Sequence, residues 1–198
     1  MNTKTIVRFG DANIETTVTN KAEAIDKWVD EILPHYANTG KSTVVGLDIE
    51  WRPHIISSMS NKSATLQLCI GTKCLIVQLF YLDYLPQSLK DFMGWPNFTF
   101  VGVEVADDVA KLRDEYGLVC ANSKDIQAHA LGCWPNRWWG RPGLKVLARD
   151  VAGLYMAKPK HVCRSDWQAR VLSDEQVQYA CIDAYASYKI GFKLFMDV

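Results

Sequence analysis

No apolar run in this sequence approaches the roughly 18 residues that a membrane-crossing helix needs. Its first residues, Met1-Asn2-Thr3-Lys4-Thr5-Ile6-Val7-Arg8, also lack the continuous apolar core of a secretory leader. Both absences lead us to expect no membrane partner and a place inside the cell, in nucleus, cytoplasm or both. Excess charge is missing too. Lys and Arg number 22 against 22 Asp and Glu, a formal net charge of zero. That argues against a protein that coats nucleic acid through bulk charge, while leaving room for a local grip on one strand end. The six cysteines, Cys69, Cys74, Cys120, Cys133, Cys163 and Cys181, include no CxxC pair and no Cys/His cluster at zinc spacing. Without an export signal they read as reduced thiols, most of them packing. The four histidines, His35, His54, His129 and His161, share no metal-site spacing and are assigned no chemistry.

What is present is an ordinary globular mixture, 48% hydrophobic and 22% charged over 198 residues, enough for one domain with a single sizeable core. Two β runs around Gly10-Asp11 open the chain, Ile6 to Val18. A helix is expected next, capped by Asn20 with Glu23 completing a capping box. Ile25, Trp28, Val29, Ile32 and Leu33 share its apolar face, and Thr39-Gly40-Lys41 breaks it. Strands are expected at Thr43–Glu50, Ala64–Ile70 and Cys74–Leu79, the last two joined as a hairpin through Gly71-Thr72-Lys73, with a polar loop at Ser57–Lys62. Then follow a short helix near Ser88–Met93, a strand Thr99–Val105 and a helix Asp108–Tyr116 opened by Asp107 and ended by Gly117. A short strand near Asp125–Ile126 precedes an irregular stretch, Cys133–Pro142. Two helices finish the chain, about Leu144 to Tyr155 and Ser173 to Phe195, the second with a Ser173/Gln176 capping box. This order predicts an α/β fold, a mixed sheet flanked by helices in a single domain over residues 1–198.

Four carboxylates sit where such a scaffold could aim them inward. Asp48 and Glu50 are two apart in Val44-Val45-Gly46-Leu47-Asp48-Ile49-Glu50-Trp51, so in a strand both point to one face. The apolar run before them suits a buried strand, where a divalent cation would relieve the cost of two like charges. Taken alone, an Asp-x-Glu is more often a strand end reaching solvent. Asp108 stands at the strand-to-helix junction, where a carboxylate is usually a cap, and Asp107 is an equal candidate by local reasoning. Tyr179 and Asp183 share a face of the last helix, an arrangement that a structural hydrogen bond explains equally well.

As a set, in this chain order, the four positions and the tyrosine resemble the DEDD superfamily of 3′→5′ exonucleases, tyrosine subtype. The chain looks most like the Werner-type exonuclease domain, a relative of ribonuclease D with the ribonuclease H-like (DnaQ-like) fold. The residues that carry the likeness are Gly46-Leu47-Asp48-Ile49-Glu50-Trp51, Ala64-Thr65-Leu66-Gln67-Leu68-Cys69, Val101-Gly102-Val103-Glu104 with Asp108-Val109-Ala110-Lys111-Leu112, Gly143 to Leu147, Lys160 to Trp167, and Leu172 to Ala186. The opening β segment is similar to plant Werner-like exonucleases in particular. Family spacing, with Asp three residues before Lys-Leu, selects Asp108 over Asp107. The histidine subtype would place His where Gln178 stands, whereas Tyr179 fits the tyrosine subtype.

The resemblance implies hydrolysis of phosphodiester bonds from a DNA or RNA 3′ end by two Mg²⁺ or Mn²⁺ ions, hard cations suited to carboxylate oxygens. It further implies that Asp48 bridges the ions, that Glu50 and Asp183 help hold the one serving the attacking water, and that Asp108 supports the other. Tyr179 would orient that water through its hydroxyl. Main-chain groups around Ile49 would meet the terminal nucleotide. From Arg137 to Arg170 there are eight basic residues, opposed only by Asp150 and Asp166, a candidate phosphate track or a solvated face. Lys160 and Arg164 are its favoured members. Trp134, Trp138 and Trp139 suit packing or a subunit interface better than base stacking, leaving a homo-oligomer open. No helicase segment is read in the chain, so unwinding would fall to a separate partner. The alternative is a catalytically weak nucleic-acid-binding or scaffold protein that keeps the fold.

Overall fold

The computed structural model describes residues 2–36, 42–53 and 61–197. The expected break at Thr39-Gly40-Lys41, most of the Ser57–Lys62 loop and His54 lie outside them. The opening hairpin pairs β1 (Asn2–Phe9) with β2 (Ala12–Thr19) in antiparallel register around Gly10-Asp11. Strands β3 (Thr43–Glu50), β4 (Thr65–Ile70) and β5 (Lys73–Val77) form an antiparallel meander, and β6 (Phe98–Gly102) and β7 (Ser123–Asp125) extend it in parallel. The result is one seven-stranded mixed sheet, ordered β1-β2-β5-β4-β3-β6-β7, with β3 between β4 and β6. The α/β expectation holds.

Helices cover both faces. On one side lie α1 (Ala22–Tyr36), α2 (Gln87–Gly94) and α3 (Val105–Tyr116). Their Ile25, Trp28, Phe92 and Leu112 pack onto Val45, Leu47 and Ile49 of β3 and Leu66 and Leu68 of β4. The opposite face is covered by α4 (Ile126–Cys133), α5 (Leu144–Ala152), α6 (Lys160–Cys163) and the long α7 (Asp174–Phe195). Val44 of β3 packs there against Ala186, Ile190 and Leu194 of α7. The two-residue period of a strand therefore sends Val45, Leu47 and Ile49 into one core and leaves Gly46, Asp48 and Glu50 on the α7 side.

Gly46 decides how close α7 can come. A Cβ at this position would lie 1.9 Å from the Ala184 carbonyl oxygen and 2.7 Å from the Tyr188 nitrogen, so helix backbone rests directly on strand backbone. Helix α7 is fixed at its start by the expected capping box, with Ser173 Oγ accepting from the Gln176 amide at 3.2 Å and Gln176 Oε1 accepting from the Ser173 amide at 2.9 Å. It is buried on nearly every side, through Ala180, Cys181, Ala184, Ala186 and Ile190.

Some boundaries differ from expectation. Helix α1 starts at Ala22, later than an Asn20 cap requires, and its first amide donates to Asp83 Oδ1 at 2.9 Å. Strand β5 ends at Val77, and Leu79 belongs to a 3₁₀ turn, Leu79–Tyr81. Helix α3 begins at Val105 rather than Asp108, because the chain turns at Glu104 in a left-handed conformation, φ 56°. Residues 126–133 are helical, with Asp125 Oδ1 capping at the Ala128 amide (2.9 Å). The fifth helix stops at Ala152, where Gly153 takes φ 66°.

Replacing Gly46 by Ala forces backbone apart and should lower the melting temperature by roughly 5–10 °C, the cost of overpacking in a domain of this size. Gly94→Ala, which meets nothing within 4 Å, should leave it unchanged or slightly raised. Thermal melts of both variants beside the parent protein check this, and equal melting temperatures would contradict the contact.

Candidate metal centre

Strand β3 and helix α7 bring three carboxylates together. One ligand oxygen each from Asp48, Glu50 and Asp183 lie within 4.8 Å of one another. Asp183 is only 2% exposed, while Asp48 and Glu50 keep part of their surface toward solvent. Four residues before Asp183, and so one turn along the same helix face, Tyr179 stands close enough for its hydroxyl to act on the Asp183 carboxylate and for the Cys163 thiol to act on it in turn. Its ring is held by Trp167, with centroids 5.9 Å apart.

Asp108 stands outside this trio, in the first turn of α3, near enough for its charge to act on Asp48. It is half-buried whereas Asp107 is exposed, so of the two it is Asp108 that the helix turns inward. The left-handed turn at Glu104 sets that orientation. Its amide donates to Asp125 Oδ2 at 2.8 Å, tying the start of α3 to the start of α4. A non-glycine residue in this conformation costs about 1–3 kcal/mol, the kind of strain found beside functional sites.

Electrostatics within the cluster are adverse. Burial, then the Asp183 and Asp108 charges, push the Asp48 carboxyl well above the usual carboxylate range. Burial followed by Asp48 and Asp183 raises Glu50 to about 10. Asp108 rises to about 7, through burial and then its neighbours Asp107 and Glu104. Burial raises Asp183 as well, against the pull of Lys158 and Tyr179. Two buried oxygens, Asp48 Oδ2 and Asp183 Oδ1, find no hydrogen-bond partner among the described residues. Buried acceptors are normally satisfied, so a divalent cation fits the chemistry of this donor set.

Sequence reasoning missed Lys158 as part of the site. Its Nζ lies 2.5 Å from Asp183 Oδ2 and 5.3 Å from the centre of the Tyr179 ring. Burial opposes its charge, but Asp183, Asp48 and Glu50 outweigh that and raise its pKa. The only advance signal was membership of the basic run. That run is not one open track. Arg137 sits over the Trp134 and Trp138 rings and donates to the Asp150 carbonyl, Arg149 pairs with Asp150, and Arg141 donates to Gln127 and faces Glu104. The favoured Lys160 and Arg164 are exposed at the two ends of α6. Ile49 buries its side chain in the core, and its main-chain amide pulls the Asp48 pKa down against the larger effect of burial. Trp134 and Trp138 pack edge to face, whereas Trp139 is fully exposed. Cys69, Cys74 and Cys181 are buried free thiols; Cys133 and Cys163 are exposed.

Raised carboxyl pKa values carry a sign. Carboxyls in an unfolded chain titrate near pH 4, so these groups retain protons that the unfolded chain has released. Their contribution to stability is complete below about pH 4 and is lost as pH rises through the folded pKa, past about 7 for Asp108 and toward 10 for Glu50. In EDTA, the melting temperature should fall between about pH 5 and pH 8, and Mn²⁺ should raise it more at about pH 8 than at pH 6. Differential scanning fluorimetry decides; a larger Mn²⁺ effect at the lower pH would contradict the assignment.

Known proteins share this architecture. A family model described as 3′-5′ exonuclease matches residues 18–197. A 3′-5′ exonuclease of Arabidopsis thaliana is 27% identical over 196 residues, covering 97% of this chain and 66% of its own. One of Drosophila persimilis is 31% identical over 182 residues, 89% of this chain and 48% of its own. The chain thus spans about half to two thirds of the length of these curated relatives. Among solved structures, Escherichia coli RNase D, an exoribonuclease involved in structured RNA processing, superposes with a TM-score of 0.72 over 91% of this chain and 44% of its own, at 19% identity, a likeness of fold alone. The EXD2 exonuclease domain soaked in Mn and dGMP gives a TM-score of 0.52 at 26% identity over 90% of this chain and 88% of its own. With a matching family model that runs from β2 to the end of α7, the chain belongs to the 3′-5′ exonuclease family.

Proposed function

We propose that this chain is a metal-dependent exonuclease that removes nucleotides one at a time from the 3′ end of a DNA or RNA strand. The observation that carries the proposal is the meeting of Asp48, Glu50 and Asp183 within 4.8 Å, with two buried oxygens lacking partners. Family membership and the EXD2 domain's structures with Mg or Mn and a nucleoside monophosphate support the same reading.

In this proposal Asp48, Glu50, Asp183 and, from α3, Asp108 would hold two Mg²⁺ or Mn²⁺ ions, with Asp48 serving both, Glu50 and Asp183 the one beside the attacking water, and Asp108 the other. Such ions would acidify water and offset charge on the leaving 3′ oxygen. The protein's own share is positional. Tyr179 keeps its phenol protonated, since burial and then the Asp183 charge raise its pKa, so its hydroxyl donates and orients the attacking water rather than removing its proton. Strand β3 fixes the two carboxylates on one face, and α7 supplies the third with the tyrosine one turn away. Contacts to the strand come from main chain near Ile49 and from Lys160 and Arg164 at the rim.

The test is a time course on 3′-recessed duplex DNA and matched RNA, with Mg²⁺, Mn²⁺ or EDTA. A one-nucleotide ladder from the 3′ end is expected. EDTA and Asp48→Ala should abolish it, and Tyr179→Phe should slow it on the order of a hundredfold, the scale of misplacing a reacting group by about an ångström. The relative rates on the two substrates give the preferred sugar. Folded, metal-loaded protein that yields no ladder on any substrate would instead be a nucleic-acid-binding or scaffold protein that keeps the fold.

A further inference from the structure

Lys158 sits on the non-helical segment between α5 and α6, directly before Pro159, which precedes the first turn of α6. Its ammonium lies 5.3 Å from the centre of the Tyr179 ring and reaches Asp183 Oδ2 at 2.5 Å. The side chain is 31% exposed, whereas the carboxylate it meets is 3% exposed. Lys158 therefore reaches the cluster from the solvent side. The Asp48 and Glu50 charges act on it too, so one cation answers three carboxylates.

A divalent ion held by Asp48, Glu50 and Asp183 claims the same carboxylate oxygens. It also repels an ammonium at contact distance, and repulsion between like charges is strong where water is largely excluded. Lys158 must then give up Asp183 Oδ2. A four-carbon stem with three donors can swing by several ångströms without moving the backbone, and the neighbouring Tyr179 ring keeps it over the site. Under the exonuclease reading, on which this inference rests, the anion that arrives there is the phosphate of the terminal nucleotide. The geometry points to Lys158 as a phosphate-binding residue. It partners Asp183 until metal takes the carboxylates, then donates to a non-bridging oxygen of the 5′-phosphate on the nucleotide being released. This role is distinct from that of the exposed Lys160 and Arg164, which flank α6 and have rim positions.

Calorimetry with thymidine 5′-monophosphate, thymidine and Mn²⁺ separates the possibilities, using the full chain with Lys158→Met, Lys158→Gln and Lys158→Arg. In Mn²⁺, Lys158→Met and Lys158→Gln should bind the monophosphate about tenfold more weakly than the parent chain, the loss expected for one charge-assisted hydrogen bond. Lys158→Arg should recover most of that affinity, and binding of unphosphorylated thymidine should not change. Mn²⁺ alone should bind the Met and Gln variants as tightly as the parent or more tightly, because the competing cation is gone. Equal monophosphate affinity in parent, Met and Gln chains would overturn the Lys158 inference and leave the exonuclease reading standing. Mn²⁺ affinity falling in step with monophosphate affinity would also overturn it, since Lys158 would then be a structural support for the carboxylates. A parent chain that binds Mn²⁺ but no monophosphate would overturn both.

Discussion

The contact between α7 and β3 governs this molecule. With no side chain at Gly46, the Ala184 carbonyl approaches to where a Cβ would stand only 1.9 Å away. That closeness carries Asp183 onto the face of the strand from which Asp48 and Glu50 project. Most other features serve to hold the two elements together. The strand is flanked by β4 and β6, its alternate residues are clamped in the opposite core by Trp28 and Phe92 among others, and the helix is anchored by its Ser173/Gln176 box and by burial along most of its length.

That geometry works against stability. Three carboxylates are gathered where burial penalises their charge, and among the described residues the ammonium of Lys158 answers them. Partly satisfied polar clusters inside proteins are expensive, and groups with strongly shifted pKa values concentrate at functional sites. The left-handed Glu104 adds strain beside Asp108. A cation that binds the folded chain alone recovers part of this cost, so metal binding and stability are coupled through the same oxygens.

Features written in local sequence were readable without coordinates. Val44 to Trp51 shows an apolar run followed by Asp-x-Glu, and strand β3 has the expected bounds, Thr43–Glu50. The Ser173/Gln176 box and the four-residue spacing of Tyr179 and Asp183 depend only on helical geometry, and both are present. Other features depend on distant partners. Helix α4 has little apolar periodicity over Ile126 to Cys133, and its start rests on Asp125, the last residue of strand β7. The early start of α3 depends on Glu104 taking φ 56°, a conformation that glutamate rarely signals. The amide of Ala22 depends on Asp83. Lys158 looked like one basic residue of eight until its partner on α7 was in view, and the density of that basic run hid how many members are tied to Asp150, Gln127 or Glu104.

The central claim is that β3 and α7 build a divalent-cation site. Diffraction from crystals grown with Mn²⁺, with data collected at the manganese edge, tests it directly. An anomalous peak in bonding contact with oxygens of Asp48, Glu50 and Asp183, at about the 2.1 Å expected for such small hard cations, is the predicted result. Peaks only elsewhere on the protein, with the three carboxylates in place and no anomalous density between them, would contradict it.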